Sequence, residues 1–139
     1  AMYAFVAGGV WFAHLGDLGY GLEDEELAPW EGKCDVLIVI VGEKNTVKLD
    51  ALDSMIDFLK PTWIVPMHYG LPPLGGANAG GMLPIDAFLN RHPRSPVFIP
   101  RHHTVSFPLP EPAGEYPGIV VLEPSGYTPT GGLPVFQVS

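Results

Sequence analysis

Two groups of polar side chains follow short apolar stretches, at positions where a β-strand would end. His14 and Asp17 come after Val10–Ala13, within the sequence HLGDLGYG, and His68 comes after Trp63–Met67. Residues beyond the strand ends of an open α/β sheet converge on one crevice, so we expect these side chains to lie at a common edge. A carboxylate with imidazoles suits Zn²⁺, Mn²⁺ or Fe²⁺. Structural histidines and an ordinary Gly-Asp turn fit the same spacing, which leaves both interpretations open.

The remaining histidines and the cysteine are weaker candidates for chemistry. His102 and His103 are adjacent in a strand-like stretch, so their side chains should point to opposite faces, one buried and one in solvent. His92 stands beside Pro93 and is expected at the surface. Cys34, the single cysteine, precedes an apolar run and has no neighbouring base, so we expect it to be packed rather than nucleophilic.

The first half of the chain predicts the elements that would position these residues. Two strands flank Gly8-Gly9, a pattern typical of a tight hairpin. A buried strand, a helix with Thr46 as its N-cap and a second strand then follow, which predicts a right-handed βαβ crossover in a parallel sheet. The predicted ranges are Met2–Ala7 and Val10–Ala13 for the hairpin, Asp35–Val41, Thr46–Lys60 and Trp63–Met67.

The second half is rich in proline, since residues 70–139 hold thirteen of the sixteen prolines. It predicts short elements joined by irregular connections, and we expect the segment Leu71–Met82 to be a loop, either a lid or mobile. The tail after Pro124 should be irregular or an edge segment. The predicted elements are a helix at Pro84–Asn90 and strands at Val97–Ile99, Thr104–Phe107 and Ile119–Leu122.

Composition excludes several classes of partner. The 139 residues carry a formal net charge of −8 and contain no Lys/Arg cluster, which argues against nucleic acid and anionic membrane surfaces. No apolar run approaches the roughly 20 residues of a membrane span, and no basic signal-peptide region opens the sequence. We therefore expect a soluble, cytoplasmic protein of one domain. Charged residues are only 16% of the chain and apolar residues 47%, which is under-charged for a free-standing domain.

Four segments, taken in order, resemble a known family. FAHLGDLG at residues 12–19, CDVLIVIVG at 34–42, a helix opened by Thr46 and KPTWIVPMHY at 60–69 look like the C-terminal half of a metallo-β-lactamase-fold hydrolase. The branch they resemble most includes the ascorbate-phosphate lactonase-like proteins. The resemblance covers residues 2–122 and implies an α/β fold, half of an αββα sandwich with a mixed sheet and a βαβ crossover. Residues 1–139 would then be one partial domain.

The resemblance also implies roles for the candidate residues. Asp17 matches the carboxylate that bridges two metal ions, His68 matches the last histidine ligand, and His14 would support a ligand or contact substrate. Two Zn ions, or Mn or Fe, would acidify a water molecule into a nucleophile. The family's His-x-His-x-Asp-His motif occurs nowhere in the 139 residues, so the ligand set is incomplete. The sequence also departs from the family at Glu43, which we expect to be solvated rather than to face the crevice.

Three functions remain open on the sequence. The first is the C-terminal part of a metal-dependent hydrolase of small molecules, inactive alone and completed by a missing N-terminal half or by another copy of the chain. The second is a non-catalytic half-fold that serves as an interaction or dimerisation module, since half of a layered sandwich leaves an apolar face uncovered. The third is a small α/β binding domain in which His14 and His68 are purely structural.

Overall fold

A computed structural model describes residues 1–71 and 81–123 of the chain. Most of the predicted Leu71–Met82 lid and the tail after Pro124 lie outside these residues. The described part contains one mixed six-stranded sheet with strand order β1-β2-β3-β4-β6-β5. The strands are β1 Tyr3–Ala7, β2 Val10–His14, β3 Val36–Ile40, β4 Trp63–Met67, β5 Val97–Phe98 and β6 Gly118–Val120, and the helices are α1 Asp24–Leu27, α2 Leu49–Leu59 and α3 Ile85–Leu89, with a 3₁₀ turn at Ala28–Trp30.

The predicted hairpin is confirmed. Strands β1 and β2 pair antiparallel around Gly8 and Gly9, whose φ angles are 56° and 78°. Two consecutive positive φ angles are what a two-residue hairpin turn of type I′ requires, and glycine adopts them without steric cost. The register pairs Tyr3 with His14, so the hairpin delivers His14 to the end of β2.

The predicted strand–helix–strand unit is also confirmed, and it is the centre of the sheet. Strands β3 and β4 pair in parallel from Val36↔Trp63 to Ile40↔Met67, and β2 pairs in parallel with the other side of β3. Four of the five residues of β3 are buried, because both faces of this central strand are covered. The carboxyl ends of β2, β3 and β4 therefore point to one edge of the sheet.

The predicted start of helix α2 is wrong. The helix begins at Leu49, and Lys48 rather than Thr46 is the N-cap residue. Glu43 and Asn45 both have positive φ angles, which keeps this loop out of the helical conformation for several residues longer than the pattern indicates. The end is as predicted, since Lys60 adopts the left-handed conformation and its N–H donates to Ile56 O, one residue before Pro61.

The hydrophobic core has two parts, one on each face of the sheet. On one face, Leu37, Val39 and Ile64 pack with the apolar stripe of α2. The stripe consists of Leu49, Leu52, Met55, Ile56 and Leu59. On the other face, Val36 and Val65 belong to a smaller cluster that no helix among the described residues covers.

The predicted strand Thr104–Phe107 is not a strand. The segment still alternates between buried and exposed side chains. Val105, Phe107 and Leu109 are half-buried and contact the smaller cluster, and the residues between them are exposed. Pro108 and Pro110 have no backbone N–H to donate, so the segment covers the sheet face without joining a strand ladder.

The other short elements of the second half are confirmed with small shifts. Strands β5 and β6 pair in parallel, and β6 pairs in parallel with β4. Gly118 opens β6 because a Cβ atom there would lie 2.3 Å from the ring of Trp63. Helix α3 begins directly after Pro84, which acts as its N-cap residue. Among residues 1–71 and 81–123, no helix is long and apolar enough to cross a membrane.

Candidate active site at the carboxyl edge of the sheet

Three loops meet where the parallel strands β2, β3 and β4 end. The ladder continues one residue past β2, since the N–H of Leu15 donates to Ile38 O at 3.1 Å. The N–H of Val41 donates to Met67 O at 3.1 Å, and the N–H of Val47 donates to Leu18 O at 2.6 Å. The loops after β2, β3 and β4 are therefore tied together by backbone hydrogen bonds and form one surface, which we call the carboxyl edge.

The two predicted metal ligands both lie at this carboxyl edge. Asp17 is in the loop after β2, and His68 is the first residue after β4. Because β2 and β4 flank β3 and neighbouring strands lie about 4.8 Å apart, the two loops leave strands roughly 10 Å apart. Both residues are exposed, so both side chains are accessible to a ligand from solvent.

His14 has one of its ring nitrogens already occupied. The N–H of Gly16 donates to Nδ1 of His14 at 2.8 Å, and the ring is half-buried. A nitrogen that accepts a hydrogen bond carries no proton, so the neutral ring carries its proton on Nε2. In this geometry Nε2 is a hydrogen-bond donor rather than a metal ligand.

His68 adopts an unusual backbone conformation. Its φ angle is 54°, in the left-handed region that costs a residue with a side chain about 1 kcal/mol or more. Backbone strain of this kind persists only where surrounding contacts hold it, and it is frequent at functional sites. The observation is consistent with a histidine that must project at a fixed angle from the strand end.

Gly42 makes room for the backbone of His68. A Cβ atom at Gly42 would lie 2.2 Å from the carbonyl oxygen of His68, closer than real Cβ atoms approach. The same glycine accepts a hydrogen bond from the N–H of Leu83 at 2.9 Å, and Leu83 O accepts from the N–H of Gly70 at 2.8 Å. These contacts hold the segment after β4 against the end of β3.

Glu43 neither faces the crevice nor is simply solvated, so that expectation is wrong. Its Oε1 accepts a hydrogen bond from the N–H of Leu49 at 2.8 Å, and its Oε2 lies 3.6 Å from Nζ of Lys48. The first N–H groups of a helix lack partners within the helix, and a carboxylate there also interacts favourably with the helix dipole. Glu43 therefore caps α2 from outside the helix.

Residues 1–71 and 81–123 contain no complete metal site. Carboxylate and imidazole donors fit a cation such as Zn²⁺, yet no group of three or more His, Cys, Asp or Glu residues comes together within residues 1–71 and 81–123. A catalytic zinc ion takes three protein ligands. Asp17 and His68 fit such a site in type, and the other ligands would have to come from residues beyond those described.

Two expectations about the other histidines are wrong. His92 is not a surface residue, since its side chain is 15% exposed, packs on Phe88 with ring centroids 4.6 Å apart and lies 3.0 Å from a carboxylate oxygen of Asp53. His102 and His103 are both exposed, because this segment is not a strand and does not alternate between faces.

The side chains of Arg91 and Cys34 have shifted pKa values that follow from their surroundings. Arg91 contacts Asp53 and Asp50 on α2, and these carboxylates raise the pKa of the guanidinium. Cys34 is buried as predicted, and burial, with the charge of Asp35, raises the pKa of its thiol from 9.0 to about 12. Such a thiol is not a nucleophile at neutral pH.

An apolar groove lies on the sheet face that no described helix covers. Its volume is about 450 Å³. His14 and Phe12 lie on this face of β2, since side chains alternate along a strand and Ala13 between them faces the main core. Sequence reasoning missed the groove because it depends on how the segment after residue 103 crosses the sheet. The lining residues are Ala7, Gly8, Phe12, Val36, Ile38, Val65, Val105, Phe107 and Leu122.

Comparison with known proteins agrees with the type of fold. Residues 1–68 match a family described as the beta-lactamase superfamily domain, a span that includes Asp17 and His68. The fold also matches the crystal structure of a Thermotoga maritima protein whose name assigns it to the Zn-dependent hydrolases of the metallo-β-lactamase superfamily. That match has a TM-score of 0.67 and 26% identity, and covers 87% of this chain and 58% of the other. Part of this chain is thus related to metallo-β-lactamase superfamily hydrolases.

Curated relatives match shorter stretches. The UPF0173 protein PF0020 of Pyrococcus furiosus is 41% identical over 58 residues, which are 42% of this chain and 26% of that protein. A UPF0173 metal-dependent hydrolase of Cupriavidus metallidurans is 36% identical over 62 residues, 44% of this chain and 21% of that protein. The matched part spans about a quarter of these relatives. The predicted superfamily resemblance is confirmed for part of the chain, while the lactonase-like branch and the C-terminal half stay predictions.

Proposed function

We propose that this chain is the C-terminal part of a metal-dependent hydrolase and that Asp17 and His68 are ligands of its metal centre. The observation that supports this most is the placement of both residues at one carboxyl edge, on the strands that flank β3. The relationship to proteins named as Zn-dependent and metal-dependent hydrolases supports the reaction class.

The chemistry of each side chain indicates its proposed role. Asp17 and His68 would help to hold two Zn ions, or Mn or Fe, and metal ions bound there would supply an acidified water molecule as the nucleophile. Asp17 offers two carboxylate oxygens, His68 offers an imidazole nitrogen, and Nε2–H of His14 can donate a hydrogen bond to an oxygen atom of a bound substrate. Water activated in this way suits lactones, phosphoesters and amides alike, so the proposed substrate is a small molecule with any of these bonds. The proposal includes a cytoplasmic location and no nucleic-acid or membrane partner.

In this proposal, the other ligands of the metal centre lie outside these 139 residues. A segment with the His-x-His-x-Asp-His motif, absent from this sequence, would supply them, from a missing N-terminal half or from another copy. The segment that contains Val105 and Phe107 covers part of the sheet face opposite α2, and the apolar groove that it lines is a surface on which a further segment can pack. The 139 residues alone are then inactive.

Hydrolysis assays test this assignment. The full-length gene product, loaded with Zn²⁺ or Mn²⁺, should hydrolyse members of a panel of lactones and phosphoesters, and His68→Ala should reduce turnover at least 100-fold. Lys33→Ala is the control, because Lys33 is exposed and lies just before β3, at the opposite end of the sheet. Equal turnover of His68→Ala and the parent protein would contradict the assignment, and so would turnover by residues 1–139 alone.

A second candidate function is an interaction module, and a specific observation favours it. The β1–β2 hairpin exposes large apolar side chains: Tyr3 is 61% exposed, Phe5 48%, Val6 51% and Trp11 42%. Tyr3 and Phe5 lie on one face of the hairpin, and Val6 and Trp11 lie on the other. Exposed large apolar side chains gathered on one hairpin are typical of an interface. Light scattering on the 139-residue chain distinguishes the two functions, because a dimer that Phe5→Ser dissociates and that binds no metal supports the module, whereas a monomer contradicts it.

A further inference from the structure

Thr46 has a buried hydroxyl group that lacks a hydrogen-bond partner within residues 1–71 and 81–123. The residue is 7% exposed, and its Oγ1 has no hydrogen-bond partner among the described residues. Buried hydroxyl groups are normally paired, because leaving one unpaired forfeits its hydrogen bonds to water. Trp63 Nε1 is the other such atom in the described part, and it lies at the opposite end of the sheet, at the start of β4.

The local structure does not use the hydroxyl as a helix cap. Helix α2 begins at Leu49, whose N–H is already satisfied by Glu43, and the N-cap residue is Lys48. Asn45, directly before Thr46, has a φ angle of 55°, so the loop turns sharply just ahead of the threonine. The loop thus buries a hydroxyl group that does not cap the helix.

Thr46 is close to the loop that carries Asp17. The hydrogen bond of 2.6 Å from Val47 N–H to Leu18 O joins the residues that follow Thr46 and Asp17. Residues joined across a backbone hydrogen bond have Cα atoms about 5 Å apart, so the loops that carry Thr46 and Asp17 are direct neighbours. Asp17 is exposed and its ionised carboxylate can only accept hydrogen bonds, while the threonine hydroxyl can donate one.

We propose that Thr46 is a positioning residue that donates a hydrogen bond to the carboxylate of Asp17 when that carboxylate turns toward a bound metal ion. The inference rests on the proposed function of Asp17 as a metal ligand. A hydrogen bond to a ligating carboxylate fixes its orientation, and loss of such a partner typically lowers metal affinity 10- to 100-fold.

Two variants test the proposal in the full-length gene product. Thr46→Val keeps the shape and removes the hydroxyl, and Thr46→Ser keeps the hydroxyl and removes a methyl group. Zn²⁺ affinity, measured by competition with a chelator, should fall about 10-fold or more in Thr46→Val and stay within about 3-fold of the parent in Thr46→Ser. The urea midpoint of the metal-free Thr46→Val protein should equal or exceed that of the parent, because an unpaired hydroxyl has been removed.

The possible failures are distinguishable. Tight Zn²⁺ binding by the parent with unchanged affinity in Thr46→Val overturns the role of Thr46 and leaves the proposed function intact. A lower urea midpoint for metal-free Thr46→Val means that the hydroxyl has a structural partner, which also overturns it. A parent protein that binds no Zn²⁺ or Mn²⁺ overturns the role of Thr46 together with the proposed function.

Discussion

Replacement of Gly42 by alanine tests how the end of β3 holds His68. The added Cβ atom would lie 2.2 Å from the carbonyl oxygen of His68 and 3.2 Å from Cβ of Met82, whereas real Cβ contacts begin near 3.0 Å. The backbones at Gly42 and His68 must therefore separate by about 0.8 Å. The backbone of His68 cannot shift easily. It is already in the left-handed conformation, and Gly70, two residues further on, is hydrogen-bonded to Leu83.

Overpacking of this kind costs about 2 kcal/mol of unfolding free energy. With a urea dependence of about 2 kcal/mol per molar, the midpoint of Gly42→Ala should fall by about 1 M. Gly19→Ala is the matched control, because its backbone is not in the left-handed region and a Cβ atom there meets nothing within 4 Å. Equal urea midpoints for the two variants would refute the claim that Gly42 and His68 are in forced contact.

Three further changes test other parts of the structure. His68→Gly should raise the unfolding free energy by about 1 kcal/mol in a urea titration, because glycine adopts the left-handed conformation without strain, and a decrease would contradict the strain. Cys34 keeps its proton up to a pKa of about 12 when folded, against 9.0 when unfolded, so the unfolding free energy should fall as pH rises from 9 toward 12. Cys34→Ser should lose that part of the pH dependence, and an unchanged slope would exclude burial of the thiol. Asp53→Ala should lower the melting temperature more than Asp57→Ala, because Asp53 contacts His92 whereas Asp57 is exposed on the same helix, and equal shifts would show that the contact is not stabilising.

The sequence predicted the part of the fold that depends on local pattern. The hairpin follows from two glycines between apolar runs, and the parallel β3–α2–β4 unit follows from a β-branched run, an amphipathic stripe and Pro61. The start of α2 could not be predicted, because Glu43 caps the helix from six residues upstream of the N–H it satisfies. That contact depends on the left-handed backbone at Glu43 and Asn45, which neither residue type dictates.

The candidate site was predictable in location but not in its surroundings. Asp17 and His68 could be placed at one edge because strand ends of a parallel sheet converge. The partner of His14, the close approach of Gly42 to His68 and the unpaired hydroxyl of Thr46 all depend on how three separate loops pack. A residue pattern read along one segment carries no information on contacts of that kind.

The most direct test of the central claim is an anomalous-difference map of the full-length gene product crystallised with Zn²⁺. The account predicts a metal peak about 2.0–2.2 Å from a carboxylate oxygen of Asp17, with an imidazole nitrogen of His68 coordinated in the same centre. Full-length protein with no peak at the carboxyl edge, or with zinc bound only by other residues, would contradict it.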